Sequence, residues 1–215
     1  MKLSELEPQI ASLPATSAKA GAQLYQFVLD NPIYDIVEVG TFHGKSACYM
    51  AAALQEKGRG SVTSLDVPVS LTFQPNAETL SQSLGLSDYV KPMRAHFGSH
   101  WLLRHMIANS TVDGACTHRF DLAFIDGYHS WEQAGLDFFL IDKLLRPGGW
   151  IIFDDMRWCF RDSPSWSQRS ASFPEDYRAA PHVLDVFDLL VRQHPGYENL
   201  RDDGRWGWAQ KAQAR

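Results

Sequence analysis

The sequence predicts an α/β protein whose core is a mostly parallel sheet with helices on both faces. Three observations predict it. Runs with strand character alternate with runs at helical spacing along most of the chain. The strand runs are β-branched and apolar with no polar face, as expected of strands buried between two helical layers. Near the end, "YENLRDDG" followed by "RWGWAQ" reads as a hairpin turned by "DDG", which adds an antiparallel strand at or near the sheet edge.

In order, residues 17–30, "SAKAGAQLYQFVLD", set Leu24, Phe27 and Val28 at helical spacing, and "NP" follows as a stop. "YDIVEVG" is a strand, "GKSACYMAAALQEKG" a helix closed by Gly58, and "SVTSLDV" a second strand, together a βαβ unit. A helix near 76–84, the strand "YVKPMRAH", a helix near 99–109 and the strand "FDLAFID" continue the alternation. The helix "WEQAGLDFFLIDKLL", the turn "RPGG" and the strand "WIIFDD" follow. From 156 to 180 the chain is rich in Ser, Arg and Trp, and a helix near 182–193 precedes the hairpin. An irregular stretch of that length inside a compact domain is more often a lid or binding loop than a spacer. A single domain is predicted over 1–215, with an N-terminal helical segment at 1–33, a core at 34–155, a loop at 156–181, and a helix plus hairpin at 182–215.

Composition narrows the function classes. The chain has 215 residues, 45% hydrophobic and 21% charged, enough for one ordinary core. A net charge of −5 gives no general attraction to nucleic acid or to an anionic membrane. No apolar run reaches membrane-spanning length, and "MKLSELEPQIASLP" lacks the apolar centre of a signal peptide, so the expected location is cytoplasmic. Cys48, Cys116 and Cys159 are odd in number and far apart, which speaks against zinc or a redox pair and for buried free thiols. Exposed aromatics in the leading helix and the tail fit a homo-oligomer as well as core packing.

In an open α/β sheet, ligands bind outside the carboxyl ends of the strands. There the sequence places Glu38, Asp66, Asp126, Asp154 and Asp155, contributed by four strands. A lone acidic residue in such a position is often a helix cap, but four strands sharing the habit point to a site. The first loop, "EVGTFHGKS", is a glycine turn feeding a helix N-terminus, where backbone N–H groups meet ligands. A dinucleotide site calls for GxGxxG, whereas this spacing is ExGxxxG. An acidic side chain there repels pyrophosphate and attracts a cation, and Asp66 ends the second strand where a ribose hydroxyl can be bound. A ribose, a cationic group and no phosphate describe S-adenosylmethionine.

On these residues the chain resembles the class I S-adenosylmethionine-dependent methyltransferases, from about residue 34 to 155 and more loosely in the hairpin. The resemblance implies a Rossmann-like, mostly parallel seven-stranded sheet ending in an antiparallel hairpin. It also implies that Glu38, Gly40 and Gly44 hold the amino-acid part of the cofactor, with Thr41 and Ser46 as further contacts, and that Asp66 holds the ribose. Adenine is expected at "RAHFGS", stacked on Phe97, where many members carry an acidic residue instead. A sharper similarity lies in "FIDGYHSWEQAGLDFFLIDKLLRPGGWIIFDDM", residues 124–156. It resembles the subgroup of metal-dependent small-molecule O-methyltransferases, including sugar O-methyltransferases acting on natural products, with FIDGxHSYE and FDD motifs.

Asp126, Asp154 and Asp155 offer three hard oxygens suited to Mg²⁺, provided the strand breaks so that adjacent aspartates reach one point. Asp126 is assigned to the cofactor as well. His129, three residues after Asp126, is expected to be the general base for an acceptor hydroxyl, while a local hydrogen-bonding role with Ser130 and Glu132 is the plainer alternative. Trp158 and Trp166 offer faces to a sugar or aromatic ring, and Arg157, Arg161 and Arg169 can hold an acidic group. The expected reaction is methyl transfer to a hydroxyl of a small molecule, a sugar or another polyhydroxylated metabolite. Three rivals stand beside it: an N or RNA acceptor, an inactive methyltransferase-fold binding subunit, and a nicotinamide-dependent oxidoreductase, which lacks its fingerprint here.

Overall fold

The structure, a computed structural model, describes residues 1–213, so residues 214–215 of the expected C-terminal unit lie outside the described residues. The N-terminal helical segment forms α1 (Leu3–Ile10) and α2 (Ala18–Asp30), the second capped by Ser17, whose hydroxyl accepts from the Ala20 N–H. The chain then runs through β1 (Asp35–Val39), α3 (Lys45–Lys57), β2 (Ser61–Asp66), α4 (Ala77–Ser83), β3 (Val90–Arg94) and α5 (Ser99–Asn109). A short ribbon, β4 (Thr111–Val112) with β5 (Ala115–Cys116), precedes β6 (Phe120–Ile125), α6 (Trp131–Leu144) and β7 (Leu145–Phe153). Two short helices, α7 (Glu175–Ala179) and α8 (His182–Val186), lead to the hairpin β8 (Tyr197–Asp202) and β9 (Gly207–Lys211).

The seven-stranded sheet has the order β3-β2-β1-β6-β7-β9-β8, parallel through β7 and antiparallel in the hairpin, with β8 at the edge. The order in which successive strands are added to the sheet reverses between the parallel strands β1 and β6, which opens a crevice at their carboxyl ends. Side-chain alternation sorts the two cores. Ile36, Leu122 and Phe124 pack with α1, α2, α3 and α4, whereas Val37, Val39, Ala123 and Ile125 pack with α5, α6 and α8. This parity also fixes the direction of Glu38, which shares the face of Ile36 and points at α3.

Two details depart from the sequence reading. "RPGG" is not a turn but the irregular start of β7, with a register break opposite β6 between Phe120 and Leu122. The helix expected near 182–193 is α8 continued by a wider π-type turn over Phe187–Val191. Among the described residues, no helix is long and apolar enough to cross a membrane.

Candidate active site

A cleft of about 820 Å³ lies at the carboxyl ends of β1, β2, β6 and β7 and takes in Gly40, Thr41, Ser46, Asp66, Phe97, Asp126, His129 and Asp155. Such a volume is ample for a cofactor together with a small acceptor. The β1–α3 loop forms one end. Gly40 has φ +90, and a Cβ there would sit 1.9 Å from the Asp126 carbonyl oxygen, so only glycine lets the loop pass the end of β6. Gly44, φ +85, approaches Ala77 of α4 as closely as 2.8 Å from its ideal Cβ.

Asp66 clamps this loop. Its Oδ2 accepts from the backbone N–H groups of Thr41 and Phe42, each at 2.9 Å, and Oδ1 accepts from Val67 N at 2.7 Å. A carboxylate has about four acceptor sites, so one remains for a ligand hydroxyl. Phe97, 83% exposed, offers a ring face in the cleft wall, which also takes in the loop cluster of Phe42, His43 and Phe73.

Glu38 is not where the sequence reading put it. It is fully buried beneath the loop and is not part of the cleft wall. Ser46 donates to Oε1 at 2.5 Å and Ser64 donates to Oε2, which leaves Thr41 as the donor to the Ser64 hydroxyl at 2.7 Å. Glu38 therefore ties β1, β2 and α3 together and shapes the loop from below, instead of meeting a cation. Burial pushes its carboxyl up to about 7, reinforced by the Asp66 charge and opposed by the two serine bonds.

A raised folded-state value means that Glu38 favours folding when protonated, and that this contribution is lost as pH climbs from the unfolded value through about 7. Glu38→Gln stays neutral throughout. Its stability relative to wild type, read by urea unfolding, is expected to rise by about 3 kcal/mol between about pH 4 and pH 8. A constant difference across that range contradicts the placement.

At the other end of the cleft, β7 breaks at Asp155, which adopts φ +56. The break was expected, but it sends the two aspartates apart. Asp154 stays in the ladder, its N–H donating to Ile125 O at 2.9 Å, and its carboxylate turns into the hairpin. There Arg205 donates to both oxygens at 2.9 Å and the buried Trp206 indole donates to Oδ1 at 2.7 Å. Asp154 thus lies outside the cleft wall, and the expected trio of Asp126, Asp154 and Asp155 is not formed. The group that does form is Asp126, His129 and Asp155, with one ligand atom from each lying within 4.8 Å of the others.

His129 Nε2 is 3.5 Å from Asp155 Oδ2 and 3.9 Å from Asp126 Oδ1, and its ring packs against Trp158. Burial lowers the imidazole against the pull of Asp155 and Asp154, keeping it neutral near pH 7. Burial, followed by the charges of Asp154 and Asp155, raises Asp126 well above the usual carboxylate range, and burial with the Asp154 charge raises Asp155. Arg205 Nη2 reaches within 3.9 Å of Asp155 Oδ1, and the two carboxylates and the imidazole, which converge on one point, fit a divalent cation.

Tyr128, Gln133, Trp158, Ser163, Ser165 and Trp166 wall the adjoining space, so the tryptophans fall where the sequence reading placed them. The arginines do not. Arg157 pairs with Asp202, Arg161 with Asp162 and Glu175, and Arg169 lies over the Trp166 ring. His43 and His96 line the cleft, and His100 packs on Asp137. Cys48 and Cys159 are buried free thiols, and Cys116 is a partly exposed one.

Residues 37–156 match the family model described as "Methyltransferase domain". A solved O-methyltransferase of Bacillus cereus, in complex with SAH, superposes with a TM-score of 0.63 at 22% identity, over 97% of this chain and 88% of that one. SAH-bound PaMTH1, a methyltransferase of Podospora anserina, gives 0.70 at 18%, over 99% and 88%. The O-methyltransferase TomG of Streptomyces achromogenes, in complex with SAM, gives 0.64 at 20%, over 98% and 89%. At these identities the likeness is one of fold. A curated relative, the uncharacterized protein R132 of Acanthamoeba polyphaga mimivirus, is 25% identical over 162 residues, covering 72% of this chain, and the chain spans 58% of that protein's length. With more than half of its length matched, from the strand that carries Glu38 to the residue after Asp155, the chain belongs to the methyltransferase-domain family.

Proposed function

We propose that the protein transfers the methyl group of S-adenosylmethionine to a hydroxyl of a small, uncharged, polyhydroxylated ring, a sugar or a related metabolite. One observation carries the reading: a single cleft joins the β1–α3 loop and Asp66 to the Asp126–His129–Asp155 group. The solved neighbours described as SAM or SAH complexes support the cofactor. Among the described residues the cleft wall holds no arginine, which supports a neutral acceptor, and the net charge of −5 argues against RNA. Three free thiols support a reducing compartment such as the cytoplasm.

In this reading Asp66 and the loop N–H groups fix the nucleoside, Phe97 stacks on the adenine, and Asp126 faces the sulfonium. Trp158, Trp166 and Tyr128 hold the acceptor ring so that one hydroxyl oxygen lies in line with the methyl group. His129 takes the hydroxyl proton at Nε2. Asp126 and Asp155 are the residues to hold Mg²⁺ or Mn²⁺, which when bound supplies charge that lowers the pKa of the reacting hydroxyl. Arg205 and Trp206 keep Asp154 out of that shell and brace the end of β7.

A second reading makes His129 the third metal ligand, favoured by its place within 4.8 Å of the carboxylate oxygens. Mn²⁺ titration followed by electron paramagnetic resonance separates the two. A base role leaves Mn²⁺ affinity of His129→Ala within about threefold of wild type, and a ligand role weakens it by about tenfold or more. Labelled methyl transfer to a panel of hydroxylated rings tests the function itself. EDTA is expected to suppress transfer and Mg²⁺ or Mn²⁺ to restore it; transfer indifferent to chelation contradicts the metal assignment.

A further inference from the structure

The sheet face that packs on α5 and α6 is apolar only over the half nearer the cleft, where Val37, Val39 and Leu65 join the core. At the amino ends of the strands the same alternation sets Asp35, Ser61, Thr63 and Lys91 on that face, with Asp35 opposite Ser61 and Thr63 opposite Lys91. The second half of α5 walls this area without covering it, and Met93 stays 40% exposed. A second cavity of about 480 Å³ results, at the opposite end of the sheet from the cleft and sharing no lining residue with it.

Its charges are unbalanced. Among the described residues, Lys91, Arg119 and Arg146 stand in the wall against one carboxylate, Asp35. Arg146 is already neutralised, since it donates to Asp35 Oδ2 at 2.9 Å and to Asp121 Oδ1 at 2.5 Å. Lys91 and Arg119 form no ion pair among the described residues. Lys91 donates to the Ser61 hydroxyl at 3.0 Å, which draws its ammonium inward over β2, and the Arg119 guanidinium lies 5.5 Å from the centre of the Phe120 ring. They flank the cavity from β3 and from the start of β6, strands three spacings or about 14 Å apart. In a chain of net charge −5 this local excess of positive charge runs against the whole. The floor is apolar, made by the largely buried Leu102, Met106 and Phe120 beside Met93.

We propose that this cavity binds a small organic phosphate, with the phosphate held between Lys91 and Arg119 and the apolar part of the molecule laid on the floor from Met93 to Phe120. A phosphate monoester carries close to two negative charges at neutral pH, which matches the two uncompensated cations. The hydroxyls of Ser61 and Thr63 add donors beside them. A neutral ring leaves both cations unused, and inorganic phosphate leaves the floor in water. The volume suits a molecule of mononucleotide size or smaller, and its binding leaves the cleft open to cofactor and acceptor.

Titration of the ¹⁵N-labelled full chain with phenyl phosphate, inorganic phosphate and phenol, followed by amide chemical shifts, tests this. Phenyl phosphate is expected to saturate, moving the amides of Ser61, Lys91 and Phe120 and leaving those of Gly40 and Asp66 in place. It should bind about tenfold or more tightly than either of the other two probes. Lys91→Gln and Arg119→Gln should each weaken it by about five- to tenfold, and both side chains lie on exposed residues, so the fold tolerates the changes. Shifts centred on Gly40 and Asp66, or no saturation with phenyl phosphate, overturn the proposal. So does inorganic phosphate or phenol binding as tightly as phenyl phosphate, or wild-type affinity in either variant.

Discussion

His129→Ala is expected to lower kcat by about 100-fold to 10,000-fold, the range of a positioned general base, while affinity for S-adenosylhomocysteine stays within about threefold. The argument is geometric. His129 stands at the acceptor side of the cleft, its ring held against Trp158 and its Nε2 facing the oxygens of Asp126 and Asp155. It takes no part in the β1–α3 loop or the Asp66 clamp, so the cofactor should not register its loss. Since burial lowers the imidazole below its ordinary value of 6.5, the neutral, proton-accepting form prevails at neutral pH. Wild-type turnover should therefore rise with pH through a midpoint below 6.5 and level off, and that limb should vanish from the residual rate of the variant. A fall of less than about tenfold, or a matching fall in cofactor affinity, contradicts the role.

Gly40→Ala is expected to abolish cofactor binding at concentrations that saturate wild type and to cost about 3 kcal/mol of stability, or roughly 6–12 °C in Tm for a chain of this size. Two effects combine. The position has φ +90, and the added Cβ would lie 1.9 Å from the backbone oxygen of Asp126, which is not a flexible group that can turn aside. Either the loop lifts or the end of β6 moves, and each displaces cofactor groups from Asp126 and His129. Gly58→Ala is the control. It shares the left-handed backbone, φ +75, but its Cβ would meet nothing within 4 Å. That variant should lose only about 1 kcal/mol and bind S-adenosylhomocysteine as wild type does. Comparable losses of cofactor affinity in both would remove the close approach at Gly40 as the cause.

The sheet was legible because its strands and helices alternate cleanly and their stop signals are strong. "NP", Gly58 and the "DDG" turn each end an element where the structure ends it. The site was legible at the level of which strand ends carry acids, and not at the level of where those acids point. Glu38 lies in a strand apolar on both sides, so alternation gives it no preferred face, and Ser46 and Ser64 capture it only after α3 and β2 have packed. Asp154 and Asp155 are chemically alike. What separates them is φ +56 at Asp155 and an arginine some fifty residues later, a tertiary partner with no local signature. Arg157 and Arg161 looked free because the partners Asp202 and Glu175 come from other turns of the chain, and Arg169 because it lies over the Trp166 ring instead of meeting an acid.

The most direct test of the account is a calorimetric titration of the purified protein with S-adenosylhomocysteine, with NAD as the control. One-to-one binding of S-adenosylhomocysteine in the micromolar range, with no heat from NAD, is the result the cleft predicts. No binding of S-adenosylhomocysteine to well-folded protein would contradict it, and would leave a methyltransferase-domain chain that uses its cleft for something other than methyl transfer.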